Sequence, residues 1–478
     1  MSVPRRAEEG NGGSAAFLAE LQARHLLHQC TDELGLAAHL DGALERDRRE
    51  GTTVGVKLYN GFDPSADSLT IGNLVPIMLL RRFRQAGHTP VVLQGGATGL
   101  IGDPSGKEAE RALRTRDEVE ANVAAQRPIF ERLLGGDVRI VNNDDWFREM
   151  DAYTFLRDIG KHFSVNQMMA RDSVRNRLER EQGISYTEFS YMLLQAYDFL
   201  HLFREEGATL QTAGADQWGN IVSGVDLIRR EINALAAVHW ITKRGDSSRR
   251  SELARSAAEN WNAIEKQVTR VSNPDGTLRV EPFAFGLTAP LLTKADGSKF
   301  GKTESGAVWL SHRRPVSGEA GTSPYGYYQF WLNAGDAEVG KYLRIFTDRS
   351  LEEIERIETE HEATPQKREA QRVLARDATA MLHGEAAMEN AERAAKALFS
   401  GDVRSLDAEM LGEVFAEVPS TGHDVSMLDG GGVDAAELLA RTSLVSSKSE
   451  ARKQLKQNAV SVNGEKIGEG AALTREHL

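Results

Sequence analysis

The sequence predicts an α/β protein with a parallel sheet, followed by a helical domain and a small C-terminal module. Two short apolar strands flank a helix between residues 54 and 96, and strands joined in this way pair in parallel. Residues 350–397 are rich in Glu, Ala, Arg and Lys, which is typical of helices. Three consecutive glycines then indicate a linker before the last part of the chain.

The composition narrows the class of protein. The 478 residues are 40% hydrophobic and 27% charged, as expected of a globular protein with two or three domains. No apolar run approaches the ~20 residues of a membrane span. The single cysteine, Cys30, excludes an intramolecular disulfide framework, disfavours a Cys-based zinc site and fits a reducing compartment. We therefore expect a cytoplasmic protein without a protein-bound metal, with a mitochondrion or plastid as the alternative location. The net charge of −12 means that any contact with RNA requires a local basic patch.

The elements at the start of the chain have local signals. Residues 1–15 lack the apolar core of a secretory signal and are expected to form a disordered lead-in. The apolar run at 54–59 predicts a buried strand that leads into a glycine-containing turn. Asn73 lies near the N-cap of the following helix, Pro76 falls in its first turn, and Gly87 ends it.

Later elements continue the α/β pattern. "PVVLQGG" predicts the second strand, "TEFSYMLLQAYDFLHLFREE" (187–206) predicts a helix, and "ATLQTAGADQWGNIVSGVDLIRREI" predicts a strand, a glycine-rich turn and a helix. The polar residues 243–281, with a helix expected in their middle, are interpreted as an inserted surface excursion. Ligands of a parallel sheet bind at the carboxyl ends of its strands, so the turns that follow the strands are the candidate sites.

Two glycine-rich stretches are candidate phosphate-binding loops. "GLIGDPSGKE" (99–108) lacks the Walker spacing, and neither it nor the glycines before it form G-x-G-x-x-G. Its glycines indicate either a backbone that approaches a ligand, with Asp103 able to bind an ammonium, or a tight structural turn. "KADGSKFGKTESG" (294–306) carries Lys299 and Lys302 without hydrophobic periodicity. This pattern suits a clamp on a polyphosphate, and a solvated charged loop is the alternative.

Polar side chains on two other elements point towards the same ligand crevice. "GADQWGN" places Asp216 and Gln217 in a turn between a strand and a helix, which faces the crevice of a parallel sheet. Tyr191, Gln195 and Asp198 follow each other at i, i+4 and i+7, on one face of an otherwise apolar helix. Polar groups are costly in a core unless they are satisfied, so this face indicates a binding surface or, alternatively, a plain surface stripe.

These motifs, in this order, resemble those of the bacterial-type and organellar tyrosyl-tRNA synthetases. The matching stretches are "YNGFDPSADSLTIGNL", "RRFRQAGHTPVVLQGGATGLIGDPSGK", "GKHFSVNQMMARD", "GISYTEFSYMLLQAYDF", "GADQWGNI", "KADGSKFGKTESG" and "TSPYGYYQFWLN". The resemblance runs from about residue 16 to the end, interrupted by the insertion.

The resemblance implies a domain organisation. It comprises a Rossmann-like catalytic domain at 16–315, a helical tRNA-anticodon-binding domain at 316–417, a linker at 418–434 and a small α+β RNA-binding module at 435–478. The module resembles a small fold shared with a ribosomal small-subunit protein. Because the family usually continues beyond "ALTREHL", the module is expected to be incomplete.

The resemblance also implies a tyrosine–tRNA ligase. Tyrosine attacks the α-phosphate of ATP, supplied with Mg²⁺, to give tyrosyl-adenylate and pyrophosphate, and the tyrosyl group then moves to the 3′ end of tRNA(Tyr). This step forms charge on phosphates, so it requires positioning and cationic stabilisation rather than a general base. The expected partners are L-tyrosine, ATP, tRNA(Tyr) and a second copy of the chain in a homodimer. The alternative is a non-catalytic relative that acts as an RNA-binding or splicing factor, which the insertion favours.

Site residues follow from the matched motifs. The residues expected to bind tyrosine are Tyr59, Asp103, Tyr191, Gln195, Asp198 and Gln217. Tyr59 and Asp198 would hydrogen-bond the phenol. The residues expected to bind ATP are Asn60, Gly61, Asp63, Ser65, Gly214, Asp216 and Lys302. The residues expected to act on the phosphates are Thr70, Asn73, Lys107, Arg111, Lys299 and Lys302. The residues expected to bind RNA, in a basic stretch of the module, are Arg441, Lys448, Arg452, Lys453 and Lys456.

One turn departs from the family pattern. His-x-Gly-His is usual there, and this chain has Thr70-Ile71-Gly72-Asn73. The Asn73 amide can place an N–H near the position of the histidine δ-nitrogen. The Thr70 hydroxyl is a shorter donor than a histidine ring, and losing one transition-state donor typically costs about 10²–10³-fold in rate. Ser65 or a water bridge could recover part of this, so we expect an active enzyme with a weaker first step.

Overall fold

The computed structural model describes residues 13–103, 114–171, 174, 175, 178, 183–243, 261, 264–272, 278–293, 300–303, 306–400, 408–415 and 421–478. The chain divides into two compact units. The first unit runs to Gly321 and also contains Asp336–Thr364. The second contains Thr322–Gly335 and Pro365–Leu478.

A six-stranded sheet forms the centre of the first unit, which confirms the predicted fold class. Its strands, in chain order, are β1 (Gln29–Cys30), β2 (Lys57–Phe62), β3 (Thr89–Gln94), β4 (Arg139–Asn142), β5 (Ala208–Gly214) and β8 (Phe285–Ala289), and a separate hairpin is formed by β6 (Val268–Ser272) and β7 (Leu278–Pro282). The order in the sheet is β1-β8-β5-β2-β3-β4, and only the edge strand β1 runs antiparallel to its neighbour. From β2 the chain adds β3 and β4 on one side, and it then crosses back to add β5 and β8 on the other side of β2. The carboxyl ends of β2 and β5 are therefore the expected ligand crevice.

Helices cover the sheet. The helices of the first unit are Gly13–Ala23, Glu33–Glu50, Leu74–Gln85, Thr98–Ile101, Arg116–Leu134, Asp144–Phe147, Ala152–Thr154, Val165–Met169, Tyr186–Glu205, Trp218–Lys243, Asp336–Phe346 and Leu351–Ala363. The helix Tyr186–Glu205, predicted at 187–206, packs Phe199 and Phe203 into the core beside Tyr59 of β2. The predicted strand, turn and helix after residue 207 are present as β5, a short turn and Trp218–Lys243.

The first predicted strand begins later than its apolar run. We predicted 54–59, and β2 covers Lys57–Phe62. Gly55 has φ +58°, and a Cβ there would lie 2.5 Å from the carbonyl oxygen of Gly87. The chain therefore turns sharply at Gly55, and only the residues beyond it are free to extend.

Part of the insertion contributes to the core. The helix predicted in the middle of 243–281 falls mostly outside the described residues. Trp261, at 1% exposure, and Ile264 are buried with the helix Tyr186–Glu205, and the hairpin β6–β7 follows them. The interpretation as a surface excursion is therefore wrong for Trp261 and Ile264, because their side chains belong to the core of the first unit.

The boundary predicted at residue 316 differs from the division of the chain. Residues 336–364 lie in the first unit, where three buried arginines hold the end of the helix Asp336–Phe346. Arg24 donates to the carbonyls of Arg344 and Arg349 at 3.1 and 2.7 Å. Arg81 pairs with Asp348, and Arg82 donates to the Thr347 carbonyl. Arg24 thus gives a partner to the Arg344 carbonyl in the last turn of the helix, and Arg24 and Arg82 bind the carbonyls of Arg349 and Thr347 just beyond it.

The second unit contains the helices Pro324–Leu332, Glu369–His383, Glu385–Ser400 and Ala408–Val414, followed by the terminal module. The module has helices Ala435–Ala440 and Lys448–Lys456 and strands β11 (Val433–Asp434), β12 (Ser461–Val462), β13 (Glu465–Lys466) and β14 (Ala472–Leu473). The first unit also contains a short antiparallel pair of strands, β9 (Lys302–Thr303) and β10 (Gly306–Ala307).

The terminal module starts before the predicted boundary at residue 435. Val433 is buried in its core, and Met427 and Leu428 pack against that core. Gly432 has φ +76°, and a Cβ there would lie 2.4 Å from the Leu473 carbonyl oxygen. The glycines predicted as linker therefore include one that is required by the pairing of β11 with β14.

Candidate active site

A cavity of about 670 Å³ opens at the carboxyl ends of the neighbouring strands β2 and β5, where the order of strand addition switches from one side of the sheet to the other. It collects most of the residues expected to bind tyrosine and ATP. Those that line it are Tyr59, Asn60, Gly61, Asp63, Ser65, Asn73, Asp103, Tyr191, Gln195, Asp198, Gly214, Asp216 and Gln217. Residues from five separate stretches of sequence thus meet in one crevice.

One end of the cavity carries a buried carboxyl group and a buried phenol. Asp198 accepts from Asn143 Nδ2 at 3.1 Å and from Trp146 Nε1 at 2.9 Å. Burial nevertheless raises the pKa of Asp198 to about 8. The Tyr59 hydroxyl is buried without a hydrogen-bond partner in the described part of the chain, and burial raises its pKa well above the usual value. Unsatisfied buried polar groups of this kind are expensive unless a ligand completes them.

A second hydrogen-bond network involves other residues that line the same cavity. The Tyr191 hydroxyl donates to Asp63 at 3.0 Å, and Gln217 Nε2 donates to Asp103 at 2.6 Å. Asn220 orients two amides by donating to the side-chain oxygens of Gln195 and Gln217, at 2.8 and 3.1 Å. Two carboxylates with these partners form an acidic surface that suits an ammonium group.

Glycines allow the acidic side chains to approach the backbone closely. A Cβ on Gly95 would lie 2.2 Å from an oxygen of Asp63, and one on Gly214 would lie 2.7 Å from an oxygen of Asp216. Thr98 also donates to Asp63, at 2.8 Å. Burial raises the pKa of Asp216. The glycine-rich turns therefore make room for carboxylates at the edge of the cavity.

In the turn Thr70–Asn73, both donors of Thr70 are bonded to the Asn73 side chain. Residues Ile71–Asn73 form a short 3₁₀ turn that precedes the helix Leu74–Gln85. The Asn73 side chain does not cap that helix, because its Oδ1 instead accepts from the Thr70 N–H and hydroxyl, both at 3.0 Å. Asn73 lines the cavity, whereas Thr70 is not among the lining residues that the structure describes.

Phe300 and Gly301 belong to the stretch 294–306, called here the lysine loop, and they lie against two other elements of the first unit. The Phe300 ring stacks on Phe346 with centroids 5.6 Å apart and tilts against Tyr342 at 5.2 Å. Gly301 has φ +84°, and a Cβ there would lie 2.4 Å from Ile71 Cγ2. Phe300 therefore anchors the loop in an aromatic cluster, and Gly301 permits its contact with the Thr70–Asn73 turn.

The buried carboxylate of Asp67, which precedes the Thr70–Asn73 turn in sequence, binds the segment 314–317. Asp67, at 1% exposure, accepts from Arg314 Nε at 2.8 Å and from the N–H groups of Val316 and Ser317 at 2.9 and 2.8 Å. Burial opposes ionisation of Asp67, but these hydrogen bonds outweigh it and lower its pKa. The Arg314 guanidinium also lies 4.0 Å from the Trp309 ring centroid.

Several expected residues lie beyond what the structure describes. Lys107, Arg111 and Lys299 are outside the described residues, and only the backbone of Lys302 is described, in β9.

In the terminal module, Arg452, Lys453 and Lys456 are exposed, whereas Arg441 and Lys448 both reach Glu437, at 2.8 and 3.5 Å.

Sequence reasoning missed the residues that support the lining side chains. Asn143 and Trp146 hold Asp198, Asn220 holds two amides, and Asp67 pairs with Arg314. The signal for Asn143 was its place immediately after β4, at the carboxyl end of a parallel strand. The other four residues have no comparable signal, because Trp146 and Asp198 are 52 residues apart, Asn220 and Gln195 are 25 apart, and Asp67 and Arg314 are 247 apart.

Among the described residues there is no helix long and apolar enough to cross a membrane. In the same residues there is no group of three or more His, Cys, Asp or Glu side chains placed to hold a metal ion.

Comparison with known proteins identifies the family. The model of class I tRNA synthetases (W and Y) matches residues 52–400, and that of the tyrosine–tRNA ligase SYY-like C-terminal domain matches residues 411–477. The tyrosine–tRNA ligase of Bacillus caldotenax is 46% identical over 467 residues, covering 96% of this chain and 94% of the relative. That of Roseiflexus castenholzii is 44% identical over 452 residues, covering 94% and 91%.

A solved structure agrees with these relatives. A C-terminally truncated mitochondrial tyrosyl-tRNA synthetase of Aspergillus nidulans matches with a TM-score of 0.59 and 26% identity, over 80% of this chain and 94% of the other. The alternative of a non-catalytic RNA-binding factor receives no support, since these relatives are named as ligases or synthetases. With a site at the switch point of its sheet and relatives that match nearly its full length, this chain belongs to the tyrosine–tRNA ligases of the class I aminoacyl-tRNA synthetases.

Proposed function

We propose that this protein activates L-tyrosine with Mg²⁺-bound ATP and transfers the tyrosyl group to the 3′ end of tRNA(Tyr). The observation that carries the proposal is the buried pair at the end of the cavity, Tyr59 and Asp198. A substrate phenol between them would give a hydrogen-bond partner to the Tyr59 hydroxyl, which has none among the described residues, and would also bind the Asp198 carboxyl group. Phenylalanine would leave the Tyr59 hydroxyl unsatisfied and would give the buried Asp198 carboxyl group no partner beyond Asn143 and Trp146. Tyrosyl-tRNA synthetases are the established example of such discrimination, at about 10⁵-fold.

The remaining polar groups suit the other end of tyrosine. Asp103, Tyr191 and Gln195 would surround its ammonium, and Gln217, held by Asn220, would lie near its carboxylate. This orientation would direct the carboxylate towards the part of the cavity lined by Asn60, Gly61 and Gly214. Holding the two reactants in line in this way lowers the barrier without a general base.

The phosphates would lie between the Thr70–Asn73 turn and the lysine loop. Asn73 offers a neutral N–H donor, and Lys107, Arg111, Lys299 and Lys302 are the cations assigned by the sequence. The carboxylate of tyrosine forms a bond to the α-phosphorus as the bond to the pyrophosphate oxygen breaks, and pyrophosphate leaves with the added negative charge. Donors and cations that meet this charge stabilise the transition state.

The experiment that tests the first step is tyrosine-dependent exchange of radioactive pyrophosphate into ATP. We expect exchange that saturates with tyrosine and that is not supported by phenylalanine or tryptophan at similar concentrations. Absence of exchange at saturating tyrosine and ATP would overturn the proposal.

Replacement of Gly301 by alanine is expected to weaken the use of ATP. The new Cβ would meet Ile71 Cγ2, and a non-glycine residue at φ +84° adds backbone strain, together about 1–3 kcal/mol. We therefore expect a raised KM for ATP in the exchange assay and an unchanged KM for tyrosine.

Gly306→Ala is the matched control for this variant. Gly306 also has a positive φ, +117°, but a Cβ there meets nothing within 4 Å. A KM for ATP that rises equally in both variants would show that backbone strain, rather than contact with Ile71, is responsible.

The exposed basic residues of the terminal module are proposed to bind the phosphate backbone of tRNA. Arg452, Lys453 and Lys456 form no ion pair within the described part of the chain, so their charges remain available to RNA. The triple charge reversal to glutamate is expected to weaken tRNA binding and to reduce the slope of log K against log salt by about 2 to 3. Pyrophosphate exchange should not change.

Arg475→Ala is the control for the triple variant, because Arg475 is already paired with Asp429. Titration of labelled tRNA at several salt concentrations measures both variants. A salt slope that is unchanged in the triple variant would contradict the proposed RNA surface.

We further propose that the protein is a cytoplasmic homodimer. Exposed apolar side chains concentrate between residues 153 and 186, namely Tyr153, Leu156, Val165, Met169, Leu178 and Tyr186. Such groups are typical of a surface that another chain covers. The location is supported by the single cysteine and by the bacterial relatives. Light scattering should give twice the mass of the chain, and a monomeric mass at micromolar concentration would contradict the dimer.

A further inference from the structure

The orientation of the Asn73 amide is determined by Thr70. The Thr70 backbone N–H lies 3.0 Å from one side-chain atom of Asn73. A backbone N–H can only donate, so that atom must be the carbonyl oxygen Oδ1 and not the amide nitrogen. The Thr70 hydroxyl donates to the same oxygen at 3.0 Å. The amide nitrogen Nδ2 therefore lies on the opposite side of the group, and Asn73 is the member of this pair that lines the cavity.

The backbone of the turn is itself held in place. Thr70 forms an antiparallel bridge with Trp309, and the Ile71 N–H donates to the Val308 carbonyl at 2.9 Å. The Asn73 N–H donates to the Thr70 carbonyl, also at 2.9 Å. With the backbone fixed, the direction of Nδ2 depends mainly on the two donors that hold Oδ1.

We propose that Thr70 is a positioning residue, whose hydroxyl fixes the Asn73 amide so that Nδ2 is the side-chain donor that this turn presents to ATP. The hydroxyl has one proton, and that proton is used in the bond to Asn73. Where the family pattern has two histidines that can each donate to the substrate, this chain thus has one donor, Asn73, and one residue that orients it, Thr70. This inference rests on the proposed role of Asn73 as a donor to the phosphates.

A double-mutant cycle tests the proposal. Thr70→Val keeps the branched shape and removes the hydroxyl, Thr70→Ser keeps the hydroxyl, and Asn73→Ala removes the amide. Pyrophosphate exchange is measured for the single variants and for Thr70→Val combined with Asn73→Ala, with melting temperatures as a check on folding. The interaction between the two positions is the departure from additivity.

We expect Thr70→Val to lower kcat about three- to tenfold, the loss typical of one hydrogen bond, with an unchanged KM for tyrosine. Thr70→Ser should restore the wild-type kcat. In the Asn73→Ala background, Thr70→Val should have no further effect, because the group that it orients is absent.

Two results would overturn the inference in different ways. If Thr70→Val lowers kcat by the same factor with and without Asn73, Thr70 acts on the substrate itself and is not a positioning residue. If Asn73→Ala has the wild-type kcat, the role proposed for Asn73 is wrong, and the inference fails with it. Neither result would overturn the proposed ligase activity, which is tested by pyrophosphate exchange with the wild-type protein.

Discussion

Asp198→Asn is expected to reduce the preference for tyrosine over phenylalanine by at least about 10²-fold in kcat/KM for pyrophosphate exchange. Both oxygens of Asp198 accept hydrogen bonds, from Asn143 and from Trp146. Asparagine has one acceptor oxygen, so its NH₂ group must face one of these two donors. The side chain would then turn or shift, and the phenol would lose an acceptor, while phenylalanine would lose nothing. Sites that hydrogen-bond a substrate hydroxyl discriminate by leaving polar groups unpaired when it is missing.

Exchange rates measured with both amino acids as a function of concentration determine this ratio. Asp226→Asn is the control, since the Asp226 side chain is 44% exposed and its one ion pair among the described residues is with Arg229 on the same helix. A preference that remains at the wild-type value in Asp198→Asn would show that this carboxyl group does not recognise the phenol.

The same variant is expected to change how stability depends on pH. Burial raises the pKa of Asp198 to about 8, above the value of about 3.9 for an unfolded aspartate. The folded state thus favours the protonated form. Its contribution to stability is fully present below about pH 4 and is lost as pH rises towards 8. Asparagine does not titrate, so wild type should lose stability relative to the variant by up to about 1.4 kcal/mol per pH unit in this window. Denaturant melts at pH 5 and pH 8 test this, and parallel pH profiles would contradict it.

Asp348→Ala is expected to destabilise the first unit by about 3 kcal/mol, at the lower end of the range for breaking a buried ion pair because Asp348 is partly exposed. The change leaves Arg81 and Arg82 buried, at 9% and 2% side-chain exposure, without their carboxylate. Burial opposes ionisation of Asp348, but the arginines outweigh it and lower its pKa. The stabilisation is therefore present above the unfolded pKa and disappears as pH falls through the lowered one.

The control for this prediction is Asp137→Ala. Asp137 is 76% exposed and pairs with Arg84, which is on the same helix as Arg81 and Arg82. An exposed partner of this kind contributes at most about 1 kcal/mol. Urea denaturation at pH 7 compares the two variants, and equal losses of stability would contradict a special role for the buried arginines. Because the helix Asp336–Phe346 seats Phe300, Asp348→Ala should also raise the KM for ATP.

Local patterns predicted the elements around the site well. The helix that carries Tyr191, Gln195 and Asp198 was predicted at 187–206 and is present at Tyr186–Glu205, because its apolar spacing extends over five turns. β2 was misplaced by three residues, because the strong turn at Gly55 depends on the close approach of Gly87, which is distant in sequence. The start of the terminal module was also misplaced, because glycines indicate a linker in sequence but allow close strand pairing in the folded chain.

The sequence by itself determined the α/β class, the family and many of the side chains that line the cavity, because these follow from periodicity and from motifs that are contiguous along the chain. Only the tertiary structure decided what those side chains do to each other. It places Arg314 on Asp67 across 247 residues and surrounds Asp198 with Asn143 and Trp146. It also directs the Thr70 hydroxyl to Asn73. The physical reason is that pKa values and hydrogen-bond directions depend on burial and on neighbours, which are properties of the packed chain and not of any single stretch of it.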